Sequence, residues 1–189
     1  MIEEDKTQLE KTPFKEGIKN AVQNTGDVFG VIVKTVSEGI VGAAKGGGTA
    51  GVAVLEAVGS IVRSVVKTSL GVGSNLALGT KAIVMGVIRG TGEKGEAALK
   101  SLAHTARIVI HQTVDMNGDV GAAASALVLA ATASAKHMEV EPSKAAAAVR
   151  EAVLAEAARI GSVTEEKVRA AVKGDVESTP AAAPEALKT

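Results

Sequence analysis

The sequence predicts an all-α protein whose amphipathic helices are built on an 11-residue repeat, and three observations lead to this prediction. Pairs of adjacent apolar residues recur at this spacing from residue 21 to residue 110. A basic residue often follows the pair, as at Lys34, Lys67 and Arg89. The alternation of apolar and polar residues that marks a strand is not sustained in this region. Three helical turns hold about 11 residues, so the repeat places a nearly straight apolar stripe along a helix.

This apolar stripe is the main candidate interaction surface. Its members are Ile32, Val33, Val54, Leu55, Val65, Val66, Leu76, Val87, Ile88, Leu99, Val109 and Ile110. The basic positions lie almost opposite the stripe on a helical projection, which predicts a solvent-facing basic ridge. The ridge consists of Lys34, Lys45, Lys67, Arg89 and Lys100. Because exposed apolar surface is unfavourable in water, we expect lipid, other helices or a second copy of the chain to cover the stripe.

Composition divides the chain into four segments. Residues 1–25 form a polar lead-in with a first helix, and residues 26–138 form the repeat region, which is rich in Gly, Ala and Val. Residues 139–174 predict a C-terminal helical pair that forms a hairpin, and residues 175–189 predict a disordered Pro/Ala tail. Glycine clusters predict the breaks between the repeat helices. These Gly-rich breaks are KGGGTAG, LGVGSN, RGTGEKG and DMNGD.

Individual residues predict some of the helix ends. Asp119 is a typical N-cap, because its short carboxylate can accept a hydrogen bond from a free backbone N–H of the first turn. Pro142 suits the first turn of the following helix, where its missing N–H has no helical partner. Gly161 predicts the end of that helix.

Composition and charge also limit the functions that the chain can have. The 21 basic and 21 acidic residues balance, so the chain lacks the positive charge of a general nucleic-acid binder. No cysteine is present, which excludes disulfides and thiolate sites. The first residues lack the basic segment and apolar run of a secretory signal, so we expect a cytoplasmic protein, peripheral at a membrane or granule surface. The longest uncharged stretch, Val120 to Ala135, is too short for a transmembrane span.

One glycine motif offers a different function. Gly90, Gly92 and Gly95 have the spacing of a dinucleotide-binding fingerprint, and Asp115 stands at the distance of the acidic residue that such sites use. Segments of similar composition recur along the chain, however, which favours architecture over a single site. A dinucleotide-binding enzyme is therefore the remote alternative.

Three polar side chains could in principle bind a metal ion. His104, His111 and Asp115 lie on neighbouring faces of one predicted helix, but no fourth ligand accompanies them. A solvated helix face explains them more simply. We therefore predict a non-enzymatic protein with no catalytic residue, no cofactor and no metal.

The repeat resembles a known class of lipid-binding proteins. KTVSEGIVGAAKGG, residues 34–47, is similar to the Lys-Thr-x-Glu-Gly-Val pattern of synuclein repeats, with one residue inserted before Glu-Gly. The region from about residue 27 to 115 resembles the 11-residue repeats of synucleins, perilipins and exchangeable apolipoproteins. In composition the chain is similar to bacterial granule-coating phasins. This resemblance implies helices that bind phospholipid or lipid-droplet surfaces.

Two functions therefore stay open. In the first, the stripe binds a lipid or hydrophobic-granule surface. In the second, the chain is a self-associating helical bundle, a homo-oligomer without a lipid role, whose stripe forms the seam. Small-residue spacings such as Gly42/Gly46 and Gly86/Gly90 would let helices approach closely. Each glycine costs a helix about 1 kcal/mol relative to alanine, so these helices need the added stability that comes from covering their apolar stripe. Either function would supply that cover.

Overall fold

The part of the chain that the structure describes is entirely helical. The structure is a computed structural model, and it describes residues 28–45, 59–60, 62–63, 66–67 and 76–177. Six helices are defined within these residues: α1 Val28–Lys45, α2 Leu76–Thr91, α3 Gly95–Asp115, α4 Val120–Met138, α5 Pro142–Ile160 and α6 Ser162–Glu177. The described residues between 59 and 67 are also helical, and no described residue lies in a strand. The predicted all-α class is confirmed.

Two of the predicted breaks fall within the described residues, and both interrupt the helices. Gly92, after the end of α2, and Gly95, at the start of α3, adopt φ angles of 62° and 57°, which are unfavourable for residues with a side chain. Between α3 and α4, Asn117 is left-handed with φ 53°. Asp119 then caps α4, and its Oδ1 accepts a hydrogen bond from the backbone N–H of Ala122 at 3.0 Å. The glycines of the KGGGTAG and LGVGSN clusters lie outside the described residues.

The C-terminal helices follow the prediction at both ends of α5 and differ from it at both ends of α6. Pro142 begins α5, which ends at Ile160 with Gly161 as its C-cap. The sequence predicts a capping box at Ser162 and Glu165 and a helix end near Val172. Instead, Ser162 is already helical, and α6 continues to Glu177, past the boundary at residue 174. The tail from 178 onward lies outside the described residues.

Helix α4 lies at the centre of the packing. It contacts α2, α3, α5 and α6, while α5 also packs on α3 and α6. Its central position explains why the longest uncharged stretch of the sequence is rich in alanine, since small side chains allow several helices to surround one axis. The C-terminal helical pair is therefore part of the same core as the repeat helices. None of the described helices is long and apolar enough to cross a membrane.

Two glycines of α2 allow a close approach to α1. A Cβ atom at Gly86 would stand 2.6 Å from Cβ of Val36 and 3.0 Å from the carbonyl oxygen of Val33. A Cβ atom at Gly90 would stand 2.9 Å from Cβ of Ile40. Real Cβ atoms do not approach so closely, so both positions require glycine while the helices keep this separation.

Candidate functional site

The predicted apolar stripe lies inside the protein wherever the structure describes it. Its described side chains are buried: Ile32, Val33, Val66, Val87, Ile88, Leu99, Val109 and Ile110. Three members lie outside the described residues: Val54, Leu55 and Val65. Leu76 begins α2, but its side chain is not among those that the structure describes. The described members all belong to the core. In this conformation the chain itself covers the stripe.

The basic ridge lies on the outside. Four of its side chains are exposed: Lys34, Lys67, Arg89 and Lys100. The side chain of Lys45 is not among those that the structure describes. Lys34 forms an ion pair of 3.9 Å with Glu38 one turn further along α1. The ridge therefore faces water on the side opposite the buried stripe.

Helices α1 and α2 join each other mainly through apolar contacts. The core residues Val36 and Ile40 of α1 lie against Gly86 and Gly90 of α2. The hydroxyl of Thr35 donates to the carbonyl of Val31 at 2.7 Å, so this polar group is satisfied within α1. Helix α1 packs chiefly on α2, which in turn packs on α4.

Polar contacts, in contrast, connect the helices that follow α2. Lys94 Nζ donates to the carbonyl of His137 at 2.8 Å and lies 3.1 Å from Oε1 of Glu139, which joins the start of α3 to the end of α4. Lys144 of α5 lies 3.7 Å from Oε2 of Glu96 in α3. These contacts add cross-links to the apolar packing of α3, α4 and α5.

An exposed apolar groove remains between α2 and α4. Leu78 is 45% exposed and Leu129 is 59% exposed. Both line the groove, together with Ala126, Ala133 and Lys81. A single exposed leucine side chain is common on protein surfaces, but two beside one groove of small residues form a continuous apolar surface.

A polar hollow lies on the side of the bundle formed by α3 and α5. It has a volume of about 290 Å³, and its polar lining comprises Arg63, His104, Arg107, His111, Gln112, Glu156 and Arg159. His104, Arg107 and His111 follow one face of α3, since residues three and four apart are neighbours on a helix. Arg63 reaches the hollow from the residues between α1 and α2. We call this site the basic hollow.

One carboxylate organises part of the basic hollow. The Glu156 side chain is only 8% exposed, its Oε1 lies 3.1 Å from Nδ1 of His111, and its Oε2 accepts a hydrogen bond from Arg159 at 3.0 Å. His111 Nε2 lies 3.7 Å from Oδ2 of Asp115. Sequence reasoning singled out His104 and His111 but did not join them to Glu156 and the arginines, because the lining comes from three separate parts of the chain.

The structure also shows what the two local motifs form. A dinucleotide fingerprint requires a strand before its glycines. Here Gly90 lies within helix α2 and packs on α1, so a helix and not a strand precedes Gly92 and Gly95. The remote alternative of a dinucleotide site at these glycines therefore lacks the strand that it needs. Among the described residues, no group of three or more His, Asp or Glu side chains is arranged to hold a metal ion.

Comparison of the chain with protein-family models, with curated proteins and with solved structures gives no match.

Proposed function

We propose that this is a non-enzymatic helical protein that binds a lipid or hydrophobic-granule surface by opening its N-terminal helices. In the bound state, the stripe residues of α1 and α2 leave the core and contact the surface. The observation that carries the proposal is the nature of the α1–α2 interface, whose buried centre is formed by aliphatic side chains packed on two glycines.

The energetics of such an exchange favour a reversible opening. Apolar burial contributes about 25 cal/mol per Å² whether the cover is another helix or hydrocarbon, so an aliphatic stripe loses little when one replaces the other. Buried Ile32 and Val33 on α1, and Val87 and Ile88 on α2, therefore suit either partner. A polar group buried in the interface would instead lose its hydrogen bond on opening.

The position of α1 also supports opening at this end. Among the described helices, α1 packs chiefly on α2, so its release disturbs few others. Release of α2 also costs its packing on α4, where the hydroxyl of Ser134 donates to Sδ of Met85 at 3.0 Å. Helices α3 and α5 gain added contacts from the pair Lys144–Glu96, and α3 and α4 from Lys94 and Glu139. We therefore infer that α3 to α6 stay packed while α1 and α2 bind the surface.

Single cysteines provide the test, because the natural chain has none. Val33→Cys places a thiol in the buried stripe of α1, and Val109→Cys places a matched thiol in the buried stripe of α3. Both variants are mixed with phosphatidylcholine vesicles or a triacylglycerol emulsion and treated with a lipid-soluble maleimide. Flotation of the particles measures binding in the same samples.

We expect the chain to float with the particles, and the thiol at position 33 to react much faster in their presence. The thiol at position 109 should react at the same slow rate with and without them. Flotation without faster reaction at position 33 would mean that binding uses an outer surface and not the stripe. Absence of flotation with both preparations would remove the proposed function.

A second candidate function is self-association of the closed bundle. The exposure of Leu78 and Leu129 in one groove favours it, because a second copy could cover both side chains. Sedimentation measurements on the natural chain and on Leu129→Glu test this alternative. A dimer that becomes a monomer in the variant would support it, and a natural chain that is monomeric at all concentrations would exclude it.

A further inference from the structure

We propose that the basic hollow is a binding site for a phosphate monoester group. This goes beyond the proposed function, because the hollow lies among residues of α3 and α5, away from the α1–α2 interface, and needs no opening of the bundle. Three separate parts of the chain supply its cationic side chains: Arg63, Arg107 of α3 and Arg159 of α5.

The cationic groups converge on one place. Gly59 lies beside the hollow, and a Cβ atom built there would stand 3.6 Å from Nη2 of Arg63 and 3.7 Å from Nε2 of His104. Both groups therefore lie within 4 Å of one point above this glycine, beside Cδ1 of Ile108. Arg107 lies one turn after His104 on α3 and lines the same hollow.

The charge of the lining matches a dianion. Three arginines and one glutamate carry a formal charge of +2 when both histidines are neutral. Asp115 lies beside His111 but outside the lining. A phosphate monoester carries between one and two negative charges near neutral pH, whereas a carboxylate carries one. Arginine also binds phosphate oxygens through two parallel N–H donors, which lysine cannot do.

Glu156 neutralises only part of this charge. Its carboxylate contacts His111 of α3 and Arg159 of α5. Among the described residues, no carboxylate forms an ion pair with Arg63 or Arg107. Glu156 thus acts as a positioning residue that holds Arg159, while the other two arginines keep their donors for a ligand.

The size of the hollow indicates a small ligand. Its volume of about 290 Å³ is just below the range for small-molecule sites, which begins at about 300 Å³. The phosphate group and a short attached alcohol would fit, whereas a nucleotide would extend into solvent.

Inorganic phosphate is the probe for the first test. It is titrated into the full chain by isothermal calorimetry in a phosphate-free buffer of low ionic strength, because salt screens exposed charges. We expect saturable binding of one phosphate per chain. Arg107→Gln should weaken it by about tenfold or more, the loss typical of a hydrogen bond between charged groups. Arg107→Lys should weaken it less, because it keeps the charge but not the paired donors.

Arg89→Gln is the matched control. It removes one exposed arginine from α2, outside the hollow, and changes the net charge by the same amount. Its affinity for phosphate should equal that of the natural chain. Circular dichroism verifies that each variant stays folded. The proposal is overturned when no saturable binding occurs, or when Arg89→Gln and Arg107→Gln weaken binding equally.

The phosphate monoester has two possible sources, a free metabolite and a lipid headgroup. Glycerol 3-phosphate in solution represents the first, and phosphatidate in phosphatidylcholine vesicles represents the second. If Arg107→Gln weakens the binding of glycerol 3-phosphate alone, this supports a free ligand. If it also weakens phosphatidate-dependent flotation, this supports the headgroup. Vesicles of phosphatidylcholine alone report on the proposed opening, so its failure is distinguishable from failure of the hollow.

Discussion

Gly86 of α2 lies directly against Val36 of α1, so that a Cβ atom on the glycine would stand 2.6 Å from Cβ of the valine. The carbonyl oxygen of Val33 stands 3.0 Å from the same Cβ position, so space for a side chain at Gly86 requires one helix to move away from the other. This contact sets the separation of the two helices that the proposed function requires to part.

Gly86→Ala should therefore destabilise the protein. An added methyl in a close-packed contact typically costs about 1–3 kcal/mol, more than the ~1 kcal/mol that alanine adds to helix propensity. Gly42→Ala in α1 is the control, since nothing lies within 4 Å of a Cβ atom there. Urea unfolding should show lower stability for the first variant and a gain of about 1 kcal/mol for the second. Equal gains in both would contradict the close contact.

Asp119→Ala should weaken the start of α4. The aspartate accepts the Ala122 N–H at 3.0 Å, and loss of such a cap costs about 1 kcal/mol. Glu141 occupies the equivalent position before α5 without a side-chain cap, so Glu141→Ala should change stability by less than about 0.5 kcal/mol. Thermal and urea unfolding of the two variants give the comparison. Similar losses would mean that the cap does not act as the structure indicates.

Ile110→Asp should prevent the bundle from folding under ordinary conditions. Ile110 is fully buried in α3, and a carboxylate there has no partner, which costs several kcal/mol. Val163→Asp makes the same kind of change on α6 at a side chain that is 66% exposed. The second variant should keep the natural helix content by circular dichroism and the natural unfolding midpoint. A folded Ile110→Asp would show that the stripe is not essential to the core.

Lys34→Gln combined with Arg89→Gln should leave binding to phosphatidylcholine particles unchanged. Both residues are exposed on the ridge, opposite the stripe, and the net charge of the natural chain is +0. With added anionic lipid, the variant should bind more weakly by about 1 kcal/mol for each cation near the surface. Flotation at several lipid concentrations measures both affinities. Weaker binding to the uncharged particles would mean that the ridge, and not the stripe, faces the lipid.

The sequence predicted the local features of this fold and missed most of the distant contacts. The spacing of Ile32, Val87 and Ile110 indicated helices with one buried face, because helical periodicity is a property of neighbouring residues. Asp119 and Pro142 marked helix starts for the same local reason. The extension of α6 to Glu177 was missed, because the helix there is too polar to show a clear stripe.

The sites illustrate the same division. Gly86 and Gly90 could be recognised as a small-residue spacing, but their partners Val36 and Ile40 could not be identified from one sequence. Glu156 meets His111 across 45 residues of chain, and no local pattern signals that meeting. The basic hollow is therefore a product of the packing of α3 and α5, visible only once the helices are placed.

The central position of α4 has a consequence during synthesis. The chain leaves the ribosome from its N-terminus, so α2 emerges before the helix on which it packs. Until residue 138 has been made, one apolar face of α2 has no α4 to cover it. A nascent chain at that stage therefore exposes an apolar face that the finished bundle buries.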